Sequence, residues 1–402
     1  MGGNRVHHKQ IGYWWPLAIA FALATAACAG GGSVQPPSPP TPGRVGAAIT
    51  DAPPIGSELE FPKTDFSKHS VPYREILSGG PPRDGIPAID HPRFVTVLEA
   101  NSWLRPQEPV ILVELAGEAK AYPLQILVWH EIVNDVVGGV PVVVTWCPLC
   151  NTGIVFRREV DGQVLDFGTT GRLRFSNLIM YDRQTESWWQ QATGEAIVGQ
   201  MTGKQLELLP ANLISWQDFK ETHPRGHVLS RETGYSRPYG INPYLGYDDV
   251  GRFPLLYQGP TVPGKLPAMA RVVTVDLHGE AVAYPYDVLA RLRVVNDTVG
   301  GQPIVVFWRK GTASPLDASA VAEGKDVGSA TVFSRLVEGR VLTFEAEGEQ
   351  FRDIETRTTW NLLGQGLKGP LAGRRLEPVT AIDHFWFSWA AFKPETRIYS
   401  ER

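Results

Sequence analysis

An internal repeat constrains the fold of this 402-residue chain more than any other feature. The segment from Gly117 to Pro123 reads GEAKAYP, and GEAVAYP stands 162 positions later, between Gly279 and Pro285. Recurrence at a fixed offset is the signature of a duplicated structural unit. We therefore predict that two diverged copies of one domain follow each other in tandem.

The match between the two copies continues well beyond this first segment. Without a gap it pairs Val133–Asp135 with Val295–Asp297 and reaches Trp146, which corresponds to Trp308. With small gaps it extends further, pairing Asp182, Thr185 and Trp189 with Asp353, Thr356 and Trp360, and Ser215-Trp216 with Ser388-Trp389. We predict a first, complete copy over residues 61–235 and a second, degenerate copy over residues 266–402. Residues 236–265, which are rich in Tyr, Pro and Gly, form the predicted connector, and we expect it to be structured.

Each copy is predicted to be mainly β with short helices, a β-rich α+β class. Val110–Leu115 is a continuous apolar run of strand length, and Asp161-Gly162 lies between two further strand-like runs. Asp-Gly favours a two-residue hairpin because both central positions must adopt positive φ. The residues after Pro123 are suited to a short helix.

The N-terminus reads as an export signal. Arg5 and Lys9 precede the apolar, uncharged stretch 11–27, and Ala26-Ala27-Cys28 then brings small residues up to a cysteine. This order is typical of a lipoprotein signal peptide over residues 1–28, with Cys28 taking the lipid. A simple signal peptide or an uncleaved anchor is the alternative. Residues 29–60, rich in Gly, Ser and Pro, are predicted to be a disordered tether.

The expected location is therefore the cell envelope, with the chain exported and anchored by lipid to the periplasmic or extracellular face of a membrane. The membrane is the one partner that the sequence predicts. The net charge of −4 and the absence of a basic run give no field for collecting nucleic acid, so nucleic-acid binding is excluded as a function class. No feature identifies a protein partner.

Cys147 and Cys150 enclose Pro148-Leu149, and apolar strand-like runs lie on both sides of this CPLC segment. A redox site of the thioredoxin type would open a helix, but the residues after Cys150 have no helical periodicity. A turn with two cysteines resembles instead a metal knuckle, which supplies two ligands. His130 is the nearest candidate for a third. Two thiolates and an imidazole suit copper or zinc.

Comparison of the two predicted copies shows that these three residues are replaced together in the second one. His130 corresponds to Leu292, Cys147 to Arg309 and Cys150 to Thr312, whereas the surrounding Asn-Asp, Gly-Gly and Trp are kept. The scaffold therefore does not need the Cys and His side chains for folding, and their joint loss indicates a shared site. A passive local disulfide beside an unrelated histidine remains the alternative.

Further candidates lie in the first copy. Met180 is a candidate thioether ligand for copper, although the alternation around it is that of a core residue in a half-buried strand. Candidate cleft-lining side chains are Glu131, Arg174, Asp182 and Trp189. Charged residues at exposed strand ends are the competing interpretation.

Three segments resemble the bacterial domain-of-unknown-function family 3179. They are Trp129–Asp135 (WHEIVND), Trp146–Gly153 (WCPLCNTG) and Ser176–Asp182 (SNLIMYD). The resemblance covers most of residues 90–250 and implies a shared domain, but the family brings no established activity. The second copy departs from the pattern at the His and both Cys.

Three hypotheses for function follow. The first is binding of a soft metal ion, copper or zinc, through Cys147, Cys150 and His130. The second is a thiol-disulfide or metal-dependent oxidoreductase that uses the same cysteines. The third is a non-catalytic binding or structural module with a passive disulfide.

Overall fold

Hydrogen-bonded strands dominate the regular structure in the computed structural model, which describes residues 51–400. Strands account for 40% of the structure and helices for 12%, which confirms the β-rich prediction with few short helices. Cys28 and the tether up to residue 50 lie outside the described residues. In the described part of the tether, residues 57–60 form a helix that binds Arg172, so regular structure begins before residue 61.

The strands of the first half are β1 (Ile76–Ser78), β2 (Phe94–Thr96), β3 (Pro109–Leu115), β4 (Glu118–Pro123), β5 (Ile132–Val137), β6 (Val140–Cys147), β7 (Thr152–Arg157), β8 (Glu159–Val160), β9 (Gln163–Val164), β10 (Phe167–Arg174), β11 (Asn177–Asp182), β12 (Trp188–Gln190), β13 (Glu195–Val198), β14 (Glu207–Leu209), β15 (Asn212–Ser215) and β16 (His227–Leu229). Those of the second half are β17 (Arg271–Leu277), β18 (Glu280–Pro285), β19 (Val294–Val299), β20 (Gln302–Arg309), β21 (Ser329–Ser334), β22 (Leu336–Val337), β23 (Arg340–Val341), β24 (Phe344–Glu347), β25 (Gln350–Asp353), β26 (Thr359–Trp360), β27 (Gly366–Lys368), β28 (Ile382–Phe385) and β29 (Arg397–Ile398). The helices are α1 (Ser57–Glu60), α2 (Val97–Ala100), α3 (Leu124–His130), α4 (Trp216–Thr222), α5 (Tyr286–Leu292) and α6 (Trp386–Ala390), with 3₁₀ turns at Tyr73–Glu75, Pro148–Cys150 and Val321–Glu323.

The first half contains three larger sheets, with strand orders β1-β10-β11-β12-β13, β14-β7-β6-β5 and β15-β3-β4-β16-β2. The second half contains β28-β17-β18-β29, β19-β20-β21 and β24-β25-β26-β27. The predicted hairpin is present, since Asp161 and Gly162 both have positive φ between β8 and β9. The predicted short helix after Pro123 is α3.

Equivalent strands of the two halves pair in the same register. Val110 lies opposite Pro123 and Ile214, and Val272 lies opposite Pro285 and His384. This register makes Trp216 equivalent to Trp386, so the sequence match of Trp216 to Trp389 was wrong by three residues. The match was wrong because it followed residue identity: a second Ser-Trp pair, Ser388-Trp389, lies about one helical turn after Trp386.

The residues shared by the halves make the same hydrogen bonds. Asn134 bonds the backbone N–H and C=O of Phe167, and Asn296 bonds those of Phe344. Tyr122 likewise donates to Asp135, as Tyr284 does to Asp297. The recurrence of Asn-Asp in the sequence therefore follows from hydrogen bonds that connect neighbouring sheets, not from chemistry at a site.

Residues 51–400 belong to one compact unit in which the halves pack on each other. β28 lies against β7, and β15 lies against β21. The hydrophobic core around Trp146 also includes Phe385 and Phe387 of the second half. In residues 51–400 we find no helix with the length and apolar character needed to cross a membrane.

Candidate dithiol site

The CPLC segment forms the turn between two paired strands. Cys147 ends β6 and lies opposite Thr152, the first residue of β7, and the three residues from Pro148 to Cys150 form a 3₁₀ turn. Asn151 closes the turn in the left-handed conformation, with φ of 49°. This confirms the predicted strand-to-strand placement. No α-helix begins at the cysteines, so the helix dipole of a thioredoxin-type site does not act on them.

The two cysteines are free thiols and are almost inaccessible to solvent. Cys147 is 2% exposed and Cys150 is 0% exposed. Their sulfur atoms lie 3.8 and 3.3 Å from the same acceptor, the backbone carbonyl of Ser176. Phe175 and Ser176 form the tight turn between β10 and β11, both with positive φ. This turn brings a single carbonyl oxygen to both sulfurs.

Each sulfur also meets an N–H donor. The side-chain amide of Asn177 lies 3.5 Å from the sulfur of Cys150, and the backbone N–H of Leu178 bonds Cys147. Asn177 is oriented by hydrogen bonds with Gln190 and Gln191. Because N–H donors stabilise a thiolate more than a thiol, the site can support a negative charge on sulfur once a proton has left.

Glu131 is the carboxyl whose charge acts on the thiol of Cys147. It follows α3 in the left-handed region, and its carbonyl accepts the backbone N–H of Trp146, the residue before Cys147. Burial raises the pKa of Glu131 to about 8. Burial, then the hydrogen bond with Cys150, and then the charges of Cys150 and Glu131 raise the pKa of Cys147. The charge of a buried carboxyl therefore opposes ionisation of the Cys147 thiol.

The connector covers this site. The hydroxyl of Tyr247 donates to the carbonyl of Leu149 over 3.0 Å and accepts the N–H of Leu255 over 3.3 Å. Ser176 donates through its hydroxyl to the carbonyl of Leu255 over 2.7 Å. Burial, and then the charges of Glu131 and Cys147, raise the pKa of Tyr244. Sequence reasoning did not assign the tyrosines to the site, although their number in the connector was the available signal.

His130 lies at the end of α3 with both ring nitrogens hydrogen-bonded elsewhere. Nδ1 is 2.7 Å from the carbonyl of Pro87, and Nε2 is 2.6 Å from the hydroxyl of Tyr239. Burial lowers its pKa. Within residues 51–400, no group of three or more His, Cys, Asp or Glu side chains is arranged to hold a metal ion. The predicted three-ligand set is therefore not assembled here.

The other predicted site residues make packing contacts, hydrogen bonds or ion pairs that stabilise the fold. Met180 is fully buried in β11, in the same core as the cysteines. Trp189 donates through its indole N–H to Asp182 over 2.9 Å, and Trp360 makes the same bond to Asp353 in the half without cysteines. The side chain of Arg174 forms an ion pair with Glu75 and lies over the ring of Phe175.

The second half replaces the CPLC turn. Arg309 pairs with Ser329 as Cys147 pairs with Thr152, so residues 310–328 stand in place of residues 148–151. Arg309 forms an ion pair with Asp218 of the first half. The position of Cys150 therefore has no structural equivalent, and the sequence match to Thr312 falls inside the longer loop.

Comparison with known proteins gives one finding. The model of a family described as a protein of unknown function (DUF3179) matches residues 83–396, a range that includes the dithiol site and most of both halves. No curated protein and no solved structure matches the chain.

Proposed function

This chain belongs to the DUF3179 family, whose description assigns no activity, and from that premise we propose that the first half catalyses thiol-disulfide exchange. Cys147 and Cys150 are the redox pair, and Glu131 is the proton acceptor for Cys147. The observation that carries the proposal is a pair of buried thiols that share the carbonyl of Ser176, with a buried carboxyl whose charge raises the pKa of Cys147 and whose own pKa is raised to about 8.

Thiolates, not thiols, attack disulfides, and burial opposes ionisation of Cys147. A base inside the site is therefore required. Glu131 fits this role because a carboxyl with a pKa near the working pH both accepts and returns a proton. The N–H groups of Leu178 and Asn177 then stabilise the charge on sulfur.

The reaction balances with one disulfide substrate. Cys147 loses its proton to Glu131, and its thiolate attacks one substrate sulfur, which releases the other as a thiolate that takes up the proton. Cys150 then attacks the mixed disulfide, loses its own proton and releases the second thiol. The site is oxidised to a disulfide, and the substrate is reduced to two thiols.

The connector must move for a substrate to reach the sulfurs. Tyr247, which is 2% exposed, bonds the CPLC turn, and Leu255, which is 52% exposed, bonds Ser176, so the exposed part around Leu255 is where opening starts. The few hydrogen bonds of an exposed loop open at lower cost than those of a core strand. The substrate disulfide is therefore expected on an extended segment that displaces this part of the connector.

A glutathione titration tests the proposal. Residues 55–402 are equilibrated with buffers of increasing oxidised fraction, beside a Cys147→Ser/Cys150→Ser variant. We expect one two-electron oxidation in the parent, and a mixed disulfide with glutathione that accumulates on Cys147 in Cys150→Ser. Thiols that remain reduced across the full range in native and in connector-opened Tyr247→Phe protein would contradict exchange and favour a structural role for the pair.

Binding of a soft metal ion is the second candidate. The observation that favours it is the hairpin that presents both sulfurs beside N–H donors, a knuckle geometry. Two thiolates suffice for Cu(I), whereas a closed zinc site needs two further ligands. Elemental analysis of parent, Cys147→Ser/Cys150→Ser and His130→Gln separates the possibilities. If copper is lost in Cys147→Ser/Cys150→Ser but kept in His130→Gln, the two thiolates alone bind it. If copper is also lost in His130→Gln, His130 is a third ligand, as the sequence predicted.

We also propose that the protein is a lipid-anchored envelope protein and that its halves arose by duplication. The signal sequence and Cys28 support the anchor, and the shared strand registers support the duplication. Labelling with a palmitate analogue tests the anchor. We expect the label in the parent and its absence in Cys28→Ala, and equal labelling of both would contradict lipidation at Cys28.

A further inference from the structure

A cavity of about 350 Å³ lies where the end of the second half meets β14 and the turn after β12 of the first. Its lining includes His384 and Ser388 together with the apolar side chains of Leu208, Ile382 and Phe392. The volume falls within the range of small-molecule sites, and such sites combine apolar walls with a few polar groups.

Two polar atoms in this lining lack a hydrogen-bond partner among the described residues. They are Nε2 of His384 and the hydroxyl oxygen of Ser388, and both side chains are 0% exposed. An unpaired polar atom costs about 1–3 kcal/mol in mutational data. Buried polar groups in proteins are nearly always satisfied, so two orphaned atoms beside one cavity indicate a ligand that satisfies them.

The hydrogen bonds around His384 define what the ligand must offer. The Thr152 hydroxyl lies 3.1 Å from the carbonyl of Cys150 and 2.8 Å from Nδ1 of His384. If its one hydrogen goes to the carbonyl, Nδ1 carries the ring hydrogen and Nε2 is a bare acceptor; if it goes to Nδ1, Nε2 is an N–H donor. Burial lowers the pKa of His384 to about 3, so this ring stays neutral.

A hydroxyl group on the ligand suits either tautomer, since one hydroxyl oxygen both donates and accepts: it donates to a bare Nε2 while accepting from Ser388, or accepts from an Nε2–H while donating to Ser388. The charges at the cavity do not select an ion, because Lys393 is paired with Asp276 over 2.8 Å. The ring of Trp389 and the aliphatic lining favour an apolar body. We propose that this cavity binds a neutral, largely apolar small molecule through a single hydroxyl group held by His384 and Ser388.

The other half provides a built-in contrast. The strand register makes Ile214 the counterpart of His384, and the equivalent helix position makes Asp218 the counterpart of Ser388. Ile214 has no polar atom to satisfy, and Asp218 is paired with Arg309. The orphaned atoms are therefore particular to one of the two junctions between the halves.

Phenol and toluene form the test pair, because they differ by the hydroxyl group and have similar size. Binding to residues 55–402 is measured by ligand-observed NMR and by the ¹⁵N shift of the His384 side chain. We expect phenol to bind about tenfold more tightly than toluene, the scale of one satisfied buried group. We also expect the Nε2 resonance to shift with phenol alone.

Two variants and a control complete the experiment. Ser388→Ala changes the volume little, and His384→Leu restores the apolar character of the counterpart Ile214; each is expected to reduce the phenol preference to about the level of toluene. Ser319→Ala, an exposed serine outside the cavity, is expected to keep it. If one variant does not unfold cooperatively, the proposal is judged on the phenol and toluene affinities of the parent and of the other variant. Equal affinity for the two probes, or a phenol preference that survives both variants, would overturn the proposal.

Discussion

Glu131 makes the stability of the fold depend on pH in a predictable direction. Its pKa rises from an ordinary 4.5 to about 8 in the native state because of burial. Between these values the native protein keeps a proton that the unfolded chain has lost, so this contribution is complete below about pH 4.5 and is lost as the pH rises toward 8. Glu131→Gln imitates the protonated form without its titration.

We expect Glu131→Gln to lose less stability than the parent between pH 5 and pH 8, by a few kcal/mol in order of magnitude. Urea unfolding at both values measures the difference. Glu159→Gln, at an exposed position, is the control and should follow the parent. Parallel curves for parent and Glu131→Gln would show that the native carboxyl titrates normally.

The same substitution tests the proposed proton transfer. Without an acceptor, Cys147 must lose its proton to bulk water in a site that opposes its ionisation. General acid–base assistance contributes typically 10²–10⁴-fold, so we expect exchange with oxidised glutathione to slow by at least about tenfold in Glu131→Gln. The pH profile of the rate should also lose its inflection near 8. An unchanged profile would assign the base elsewhere.

The sequence identified some of the individual residues of the site and missed others. Spacing alone identified Cys147 and Cys150, and the divergence of the halves separated them from scaffold residues such as Asn134. His130 was predicted to join them, but its ring is held by Pro87 and Tyr239. Sequence distance does not report side-chain direction at a helix end, and the neighbour Glu131 turns inward because the backbone there is left-handed.

Among the elements, the connector is hydrogen-bonded to the turn that holds the thiols. Tyr247→Phe removes the hydroxyl that bonds Leu149 and the N–H of Leu255 but keeps the ring packed on Phe385. We expect labelling of the native thiols by a maleimide to be several-fold faster, since opening of this segment becomes cheaper by about 1 kcal/mol. Tyr235→Phe, an exposed tyrosine, is the control. Equal labelling rates would place the access route elsewhere.

The equivalent asparagines on β5 and β19 support a paired prediction. Asn134 and Asn296 each bond both backbone groups of a phenylalanine that begins the next sheet, and Asn134 also bonds Asp90. Alanine at either position leaves buried backbone groups without partners. We expect losses of about 2–4 kcal/mol for Asn134→Ala and slightly less for Asn296→Ala in chemical unfolding. An effect in only one half would argue against equivalent roles.

Across the whole molecule, the halves share their cores, which the sequence did not indicate. The boundaries of the predicted repeat were inferred from similarity along the chain, and similarity carries no information about how the two halves pack on each other. The structure places Phe385 and Phe387 beside Trp146, while Phe307 and Phe333 share a core with Trp216. The connector also bonds the loop 310–328 of the second half, through Tyr247 N–H to Leu316 and Asn242 N–H to Ser319.

This sharing predicts that the two halves do not behave as independent domains. Residues 51–235 alone would expose the apolar face that β28 and α6 cover, and they would lose the bond between Thr152 and His384. We expect residues 51–402 to unfold in one cooperative transition, with the isolated first half either unfolded or at least about 10 °C less stable. Calorimetry of both proteins measures this.

Mixing residues 51–235 with residues 236–402 provides the decisive comparison, because the packing between the halves can re-form when the two pieces associate. We expect the mixture to regain a single transition and, with it, protection of Cys147 from maleimide, since the connector returns to its place over the turn. A first half that melts at the same temperature alone and in the mixture would show that it needs no contact with the second half and that the dithiol site belongs to an independent domain.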